Sequence, residues 1–306
     1  MRGLLPATYV ISLAVAPGRP AAMYAGTIWR GIAKSVDGGA SWRPSGPFPL
    51  LAGGAVPRPP DVMSLALDPA EPGTVYAGTN FGGVLKSVDG GASWRTANRG
   101  LAAIPYFRGR VFDPVVALLA RPSALYAALS GMGVFVSRDG GARWERFAPG
   151  LPEPRVESLA LADGTLYAAT ADGVFRSSGG PWTRAGLRGH WLETVAVDAR
   201  NRTVYAGALH EGVFASRDRG RSWSPANTGL GNLYVRALLA DPRRPGRVYA
   251  ATYGGVFSST DAGRTWTALN SGLGHRLVQA LALGAGPKPS LFAGTLGGGV
   301  YAVELR

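Results

Sequence analysis

The sequence predicts an all-β chain made of repeated antiparallel sheets closed into a ring, and three observations carry that prediction. Glycine is abundant at 45 residues and 23 prolines are scattered among them, a mixture suited to many short strands joined by tight turns. One phrase recurs: VYAGT or a relative, a glycine-rich turn, GVF, then S-x-D-x-G-x-S-W. Its tyrosine falls at Tyr24, Tyr76, Tyr126, Tyr167, Tyr205 and Tyr249, with Phe292 standing in at the last, at spacings of 52, 50, 41, 38, 44 and 43 residues. Alternating segments rich in β-branched and aromatic residues lie between Gly, Asp and Pro clusters, and no amphipathic helix competes. Seven units of about 44 residues match a four-stranded blade, so the expectation is a single seven-bladed β-propeller occupying 1–306.

Each unit parses in the same order. An alternating segment opens it, as at Val62–Leu67, Val156–Leu161, Leu192–Val197 and Val278–Leu283. The tyrosine segment, the Gly-Val-Phe segment and a strand beginning at a tryptophan follow, with Trp42, Trp94, Trp144, Trp182, Trp223 and Trp266 closing six units. The blades are placed at 9–48, 62–101, 115–151, 156–189, 192–230, 235–273 and 278–306. The seventh stops in its third strand, and Gly3-Leu4 matches the Gly-Leu that ends fourth strands at Gly229-Leu230 and Gly272-Leu273. The last blade is therefore expected either to be incomplete or to be closed by residues 1–5.

Composition limits the partners. The net charge of +13 rests on 29 arginines and three lysines, which favours anionic partners. There are no cysteines, so thiol chemistry and disulfides are excluded. No apolar run reaches the roughly 18 residues of a membrane span. The apolar run Leu4–Ala16 imitates a signal peptide, but residues 9–25 align with the repeat and are assigned to a blade instead.

The box motif reads SVDGGASW at 35–42 and 87–94, SRDGGARW at 137–144, SRDRGRSW at 216–223 and STDAGRTW at 259–266. Blade four keeps only a degenerate copy without the aspartate, Ser177-Ser178-Gly179-Gly180-Pro181-Trp182. This resembles the Asp-box, or bacterial neuraminidase repeat, superfamily of propellers, which includes sialidases, xyloglucan-cleaving hydrolases, sortilin-type receptors and photosystem II assembly factors. The resemblance covers nearly the whole chain and implies a fold rather than a function. It implies structural roles for Asp37, Asp89, Asp139, Asp218 and Asp261, which can accept backbone N–H groups across a tight turn. It also carries the only pointer to a compartment, an extracytoplasmic one.

Catalysis is disfavoured. The sialidase-type Phe-Arg-Ile-Pro signature is missing, and the nearest string, Arg30-Gly31-Ile32-Ala33, lies between strands two and three. After the box aspartates and the Asp-Pro turns at Asp68 and Asp241, the acid–base candidates are Asp61, Asp113, Asp172, Glu157, Glu193 and Glu211. Nothing in their spacing pairs them. His190, His210 and His275 lie in different blades without metal-ligand spacing. No cofactor is implied.

A ligand is expected at the mouth of the central channel, where the turns between strands two and three meet the inter-blade connections. The repeat places Trp29, Arg30, Phe81 and Tyr253 in those turns, with Arg155, Trp191 and Tyr234 just before innermost strands and Arg276 one residue earlier. Two long connections add a rim. Arg43–Asp61 holds six prolines and Arg58; Arg95–Pro114 holds Tyr106, Phe107, Arg108 and Arg110. Aromatics supply flat contact area and arginine supplies fork-shaped recognition of carboxylates. The expectation is a monomeric, non-enzymatic recognition or scaffold propeller for an acidic protein segment. The alternative is a carbohydrate-active propeller, either a sialidase-like or xyloglucanase-like glycoside hydrolase or a lectin binding an anionic glycan. Nucleic acid ranks third, because the arginines are dispersed and no nucleic-acid module is present.

Overall fold

In each unit the four strands run antiparallel and pair in sequence order, because a period-two pattern with short turns satisfies the backbone only by neighbour-to-neighbour pairing. The computed structural model describes residues 2–5, 8–17, 22–49, 59–106, 109–284 and 289–305. Among these, seven four-stranded antiparallel sheets are arranged as a β-propeller, and no helix is present. The innermost strands are Val10–Val15, Val62–Leu67, Val115–Arg121, Val156–Ala162, Leu192–Asp198, Val235–Ala240 and Val278–Leu283. The seventh blade has three strands from the C-terminal end, and Arg2–Leu5 pairs antiparallel with Gly299–Glu304 as its fourth. The N-terminal segment thus closes the ring. The pseudo-signal run begins in the closing strand Arg2–Leu5 and continues into blade one, where Val10–Val15 and Met23–Thr27 are the first two strands.

Two devices join neighbouring blades. The box tryptophan turns back across the seam, and its indole N–H donates to the fourth-strand end of the preceding blade. Trp144 donates to Ala97 O at 2.7 Å, Trp182 to Phe147 O at 3.3 Å, Trp223 to Ala185 O at 2.7 Å and Trp266 to Ala226 O at 2.7 Å. Trp94 reaches Ser45 Oγ instead, at 3.1 Å. Trp42 bonds within its own box, to Gly39 O at 3.1 Å. Its preceding blade ends in Arg2–Leu5 rather than in a strand that follows a box.

The second device is the repeat tyrosine, whose hydroxyl crosses to the box of the next blade. Tyr24 donates to Gly90 O at 3.0 Å and Tyr76 to Gly140 O at 3.2 Å. The box turns are self-contained. In blade two, Asp89 accepts from Ser87 Oγ, Ser93 N and Ser93 Oγ at 2.7, 2.9 and 2.6 Å. These bonds hold its carboxyl well below the usual range, the Ser93 hydroxyl contributing most. Asp37 and Asp218 show the same pattern. Asp261 is brought down to about 2, chiefly by the Thr265 hydroxyl. Asp139 keeps the Ser137 and backbone bonds, while Arg143 stands where the other boxes have a hydroxyl.

Candidate functional site

Antiparallel order puts the start of each innermost strand and the turn between strands two and three at the same end of the ring, which is the channel mouth. The mouth is built from one hydrogen bond repeated seven times. The residue after the second strand donates to the carbonyl just before the innermost strand: Ile28 to Tyr9, Asn80 to Asp61, Ser130 to Pro114, Ala171 to Arg155, Leu209 to Trp191, Tyr253 to Tyr234 and Leu296 to Leu277, at 2.9–3.3 Å. The positions read from the repeat therefore meet at one level around the opening. Just inside, every innermost strand carries a β-bulge at its second residue, a feature common at barrel rims and beside binding sites.

The turns display aromatics in a conformation bulky side chains avoid. Trp29, Phe81 and His210 occupy the same turn register in blades one, two and five, with φ of 69°, 69° and 70°. In blade seven that register is Gly297, at φ 96°, where no Cβ penalty applies. Trp29 and Phe81 are 61 % and 52 % exposed, so no core burial compensates their strained backbones. Backbone strain of this kind clusters at ligand-binding and switch regions of proteins.

The structure groups most of the predicted mouth residues. Tyr9 packs edge-on against Trp29 with centroids 5.6 Å apart, and Trp29 N donates to Asp61 Oδ1 at 2.8 Å. Tyr234 stacks on Tyr253 at 4.6 Å and 12°, with His210 edge-on to Tyr234 at 4.1 Å. Arg276 donates to Gly254 O beside that stack at 3.4 Å. The Arg155 guanidinium lies 4.3 Å from the Trp191 ring centroid, a cation–π arrangement. Arg30 is exposed in the blade-one turn, and Phe81 forms a bridge with Phe112.

The rim is described only in part. Ile104–Tyr106 and Gly109–Val111 form a two-stranded hairpin in which Tyr106 opposes Gly109 and Pro105 opposes Arg110. Phe107, Arg108 and Arg58 lie outside the described residues. Phe112 packs partly buried against the core between blades two and three. In the other connection, Phe48 stacks on Trp94 at 6.0 Å, so its beginning is held to blade two.

One feature of the channel escapes sequence spacing. The bulge residues of blades four to seven are Glu157, Glu193, Arg236 and Gln279, and those of blades one to three are Ile11, Met63 and Val116. Arg236 pairs with Glu193 and donates from Nε to Gln279 Oε1 at 3.0 Å; Arg155 pairs with Glu157 at 3.0 Å. Burial raises the Glu193 carboxyl above its ordinary value; Arg236 opposes the shift and the Glu157 charge adds to it. The Gln279 Nε2 and Trp191 Nε1 donors are buried without a hydrogen-bond partner among the described residues. Two further acid candidates are engaged: Asp172 with Arg184 at 2.7 Å and Gly189 N at 2.6 Å, and Glu211 with His190 at 2.9 Å. Among the described residues no cluster of three or more His, Cys, Asp or Glu side chains suits a metal ion.

No protein-family model and no curated protein sequence matches the chain. Solved structures do resemble it. An ancestral GH74 enzyme aligns over 100 % of this chain and 46 % of its own, with a TM-score of 0.77 at 16 % identity. YCF48 bound to a D1 peptide aligns over 99 % of this chain and 94 % of its own, with a TM-score of 0.70 at 13 % identity. The extracellular domain of a putative hybrid two-component system from B. thetaiotaomicron aligns over 96 % of this chain and 40 % of its own, with a TM-score of 0.71 at 14 % identity. The chain thus spans less than half the length of the GH74 enzyme and nearly all of YCF48. At these identities the likeness establishes the seven-bladed propeller fold that the three share with this chain.

Proposed function

We propose that this chain is a recognition propeller of the Asp-box kind that binds an acidic segment of a partner protein at the channel mouth. The observation that carries the reading is the set of exposed aromatics, Trp29, Phe81 and His210, held in left-handed turns where blade seven has glycine. Arg155 on Trp191 and Arg276 beside the Tyr234–Tyr253 stack add cations that can take carboxylates. Rim residues Arg58, Tyr106, Phe107, Arg108 and Arg110 would extend the same surface. That one structural relative is described as bound to a peptide supports the reading. Peptide selection from a random library should enrich acidic, aromatic-containing sequences on the wild type and not on the Trp29→Gly/Phe81→Gly/His210→Gly variant. Equal enrichment on both proteins, or none on either, removes the mouth from the functional map.

A second reading is a carbohydrate-active propeller. Its support is the Glu157–Glu193 neighbourhood, where one carboxyl is pushed up by burial, as a general acid requires. The Tyr234–Tyr253 stack offers a flat face to a sugar. Hydrolysis of xyloglucan or a sialoside that Glu193→Gln abolishes would replace the first reading with this one.

A further inference from the structure

The two ends of the ring differ in how their carboxylates are held. At the mouth, Arg155 pairs with Glu157, Arg184 with Asp172 and Arg236 with Glu193. At the other end, which carries the boxes and the hairpins between strands one and two, the carboxylates take their hydrogen bonds chiefly from the turns themselves and stay ionised. Asp218 accepts from Ser216, Arg221 N and Ser222, and Asp261 from Ser259 and Thr265. Asp198 is 4 % exposed and accepts Gly246 N at 2.6 Å. Asp241 is 1 % exposed and accepts Arg243 N at 3.0 Å.

The side chains of four arginines of that end stand outside these bonds. Arg200 and Arg202 on the blade-five hairpin, Arg221 in its box and Arg264 in the blade-six box are exposed, and none makes an ion pair among the described residues. A small cleft at the seam of blades four and five is lined by Asp163, Arg202 and Arg219. All three hold left-handed backbones, at φ 49°, 60° and 63°, and Arg219 approaches Asp163 at 3.7 Å. Across the ring, Val36 and Val88 occupy the x position of S-x-D in blades one and two and are 58 % and 59 % exposed. The same register carries Arg138 in blade three and Arg217 in blade five. Box turns of the same length end at a common level, so a flat surface laid on this end would touch arginines on one side and bare valines on the other.

We propose that the box end of the ring docks on anionic lipid bilayers, with Arg200, Arg202, Arg221 and Arg264 on headgroup phosphates and Val36 and Val88 entering the headgroup layer. Guanidinium matches phosphate in geometry as well as charge. Among the described residues the large exposed hydrophobics of this end are valines, while exposed aromatics are at the mouth. Stacking platforms that would favour single-stranded nucleic acid are thus lacking here, and small apolar tips beside free cations suit a lipid interface.

The test is co-sedimentation of the full chain with phosphatidylcholine vesicles, with and without phosphatidylglycerol, at rising salt. Retention is expected on the phosphatidylglycerol vesicles alone, falling as salt screens the contact. The Arg200→Gln/Arg202→Gln/Arg221→Gln/Arg264→Gln variant should lose about fivefold in affinity per arginine. Val36→Ser/Val88→Ser should weaken binding severalfold with the salt dependence unchanged. Both variants alter exposed side chains, so their melting temperatures should equal that of the wild type, and the valine variant tests the surface independently of charge. The Trp29→Gly variant of the mouth should be retained in full, whatever becomes of the peptide reading. The proposal is overturned by no retention at low salt, or by equal retention of the arginine variant. It is also overturned if a random-sequence DNA duplex at equal phosphate concentration strips the protein from the vesicles, which would assign this face to nucleic acid.

Discussion

Replacing Tyr205 or Tyr249 by phenylalanine removes a hydroxyl that the fold buries without a partner. Tyr24 donates to the carbonyl of Gly90, the fourth residue of the next box, at 3.0 Å. The equivalent carbonyl facing blade five belongs to Ala262, and the Arg217 guanidinium already occupies it at 3.3 Å. Blade six faces blade seven, which has no box. The Tyr205 and Tyr249 hydroxyls are therefore buried and unbonded, in side chains that are 0 % exposed. Burial, reinforced by the Asp198 charge, pushes Tyr205 up to about 12. An unsatisfied buried polar group costs roughly 1–3 kcal/mol, whereas losing a made hydrogen bond costs about 1 kcal/mol. Tyr205→Phe and Tyr249→Phe should each be stabilising by about 1 kcal/mol, and Tyr24→Phe destabilising by about as much. With an unfolding entropy of roughly 2.1 cal/mol/K per residue, each kcal/mol moves the midpoint of a chain of 306 residues by about 1.5 °C. Thermal and urea melts of the three variants would show two rises and one fall. Equal destabilisation in all three would refute the account of the seams. Blade seven already carries the phenylalanine at this position, as Phe292.

The box aspartates predict an acid limit. Their folded-state pKa values lie below the unfolded ones, so their contribution is present above about pH 4 and is lost as pH falls towards about 2, where Asp261 titrates. The difference in melting temperature between wild type and Asp261→Asn should shrink across that window, and a constant difference would count against it. Gly78→Ala should be strongly destabilising, because its Cβ would meet the Val115 carbonyl of the next innermost strand at 2.5 Å and Ser64 Oγ closer still. Chevron or equilibrium urea unfolding would measure it, with Gly180→Ala, where a Cβ meets nothing within 4 Å, as the near-neutral control.

The blades were legible because each must solve the same packing problem with the same residues, so a core requirement becomes a period in the sequence. The closure by Arg2–Leu5 was legible for the same reason: Gly3-Leu4 repeats the ending of other fourth strands. The mouth was legible as a set of positions but not as chemistry. Its ion pairs join residues about one blade apart, such as Glu193 with Arg236, and no spacing rule links side chains on different strands whose bulges set their direction. The roles of the exposed arginines were not legible for a related reason. Composition reports the total charge but not which carboxylates are tied into turns and which into ion pairs. One signal for the mouth was present and went unread. Aligning the repeats puts Trp29, Phe81 and His210 in the column that holds Gly297. The column also holds Gly131 and Gly254, and where it is left-handed, at Trp29, Phe81, His210 and Gly297, glycine serves as well for the fold as an aromatic. Aromatics placed there against backbone preference are what the proposed contact role would account for, and that is why the aromatic turns, rather than the arginine count, carry the proposed reading.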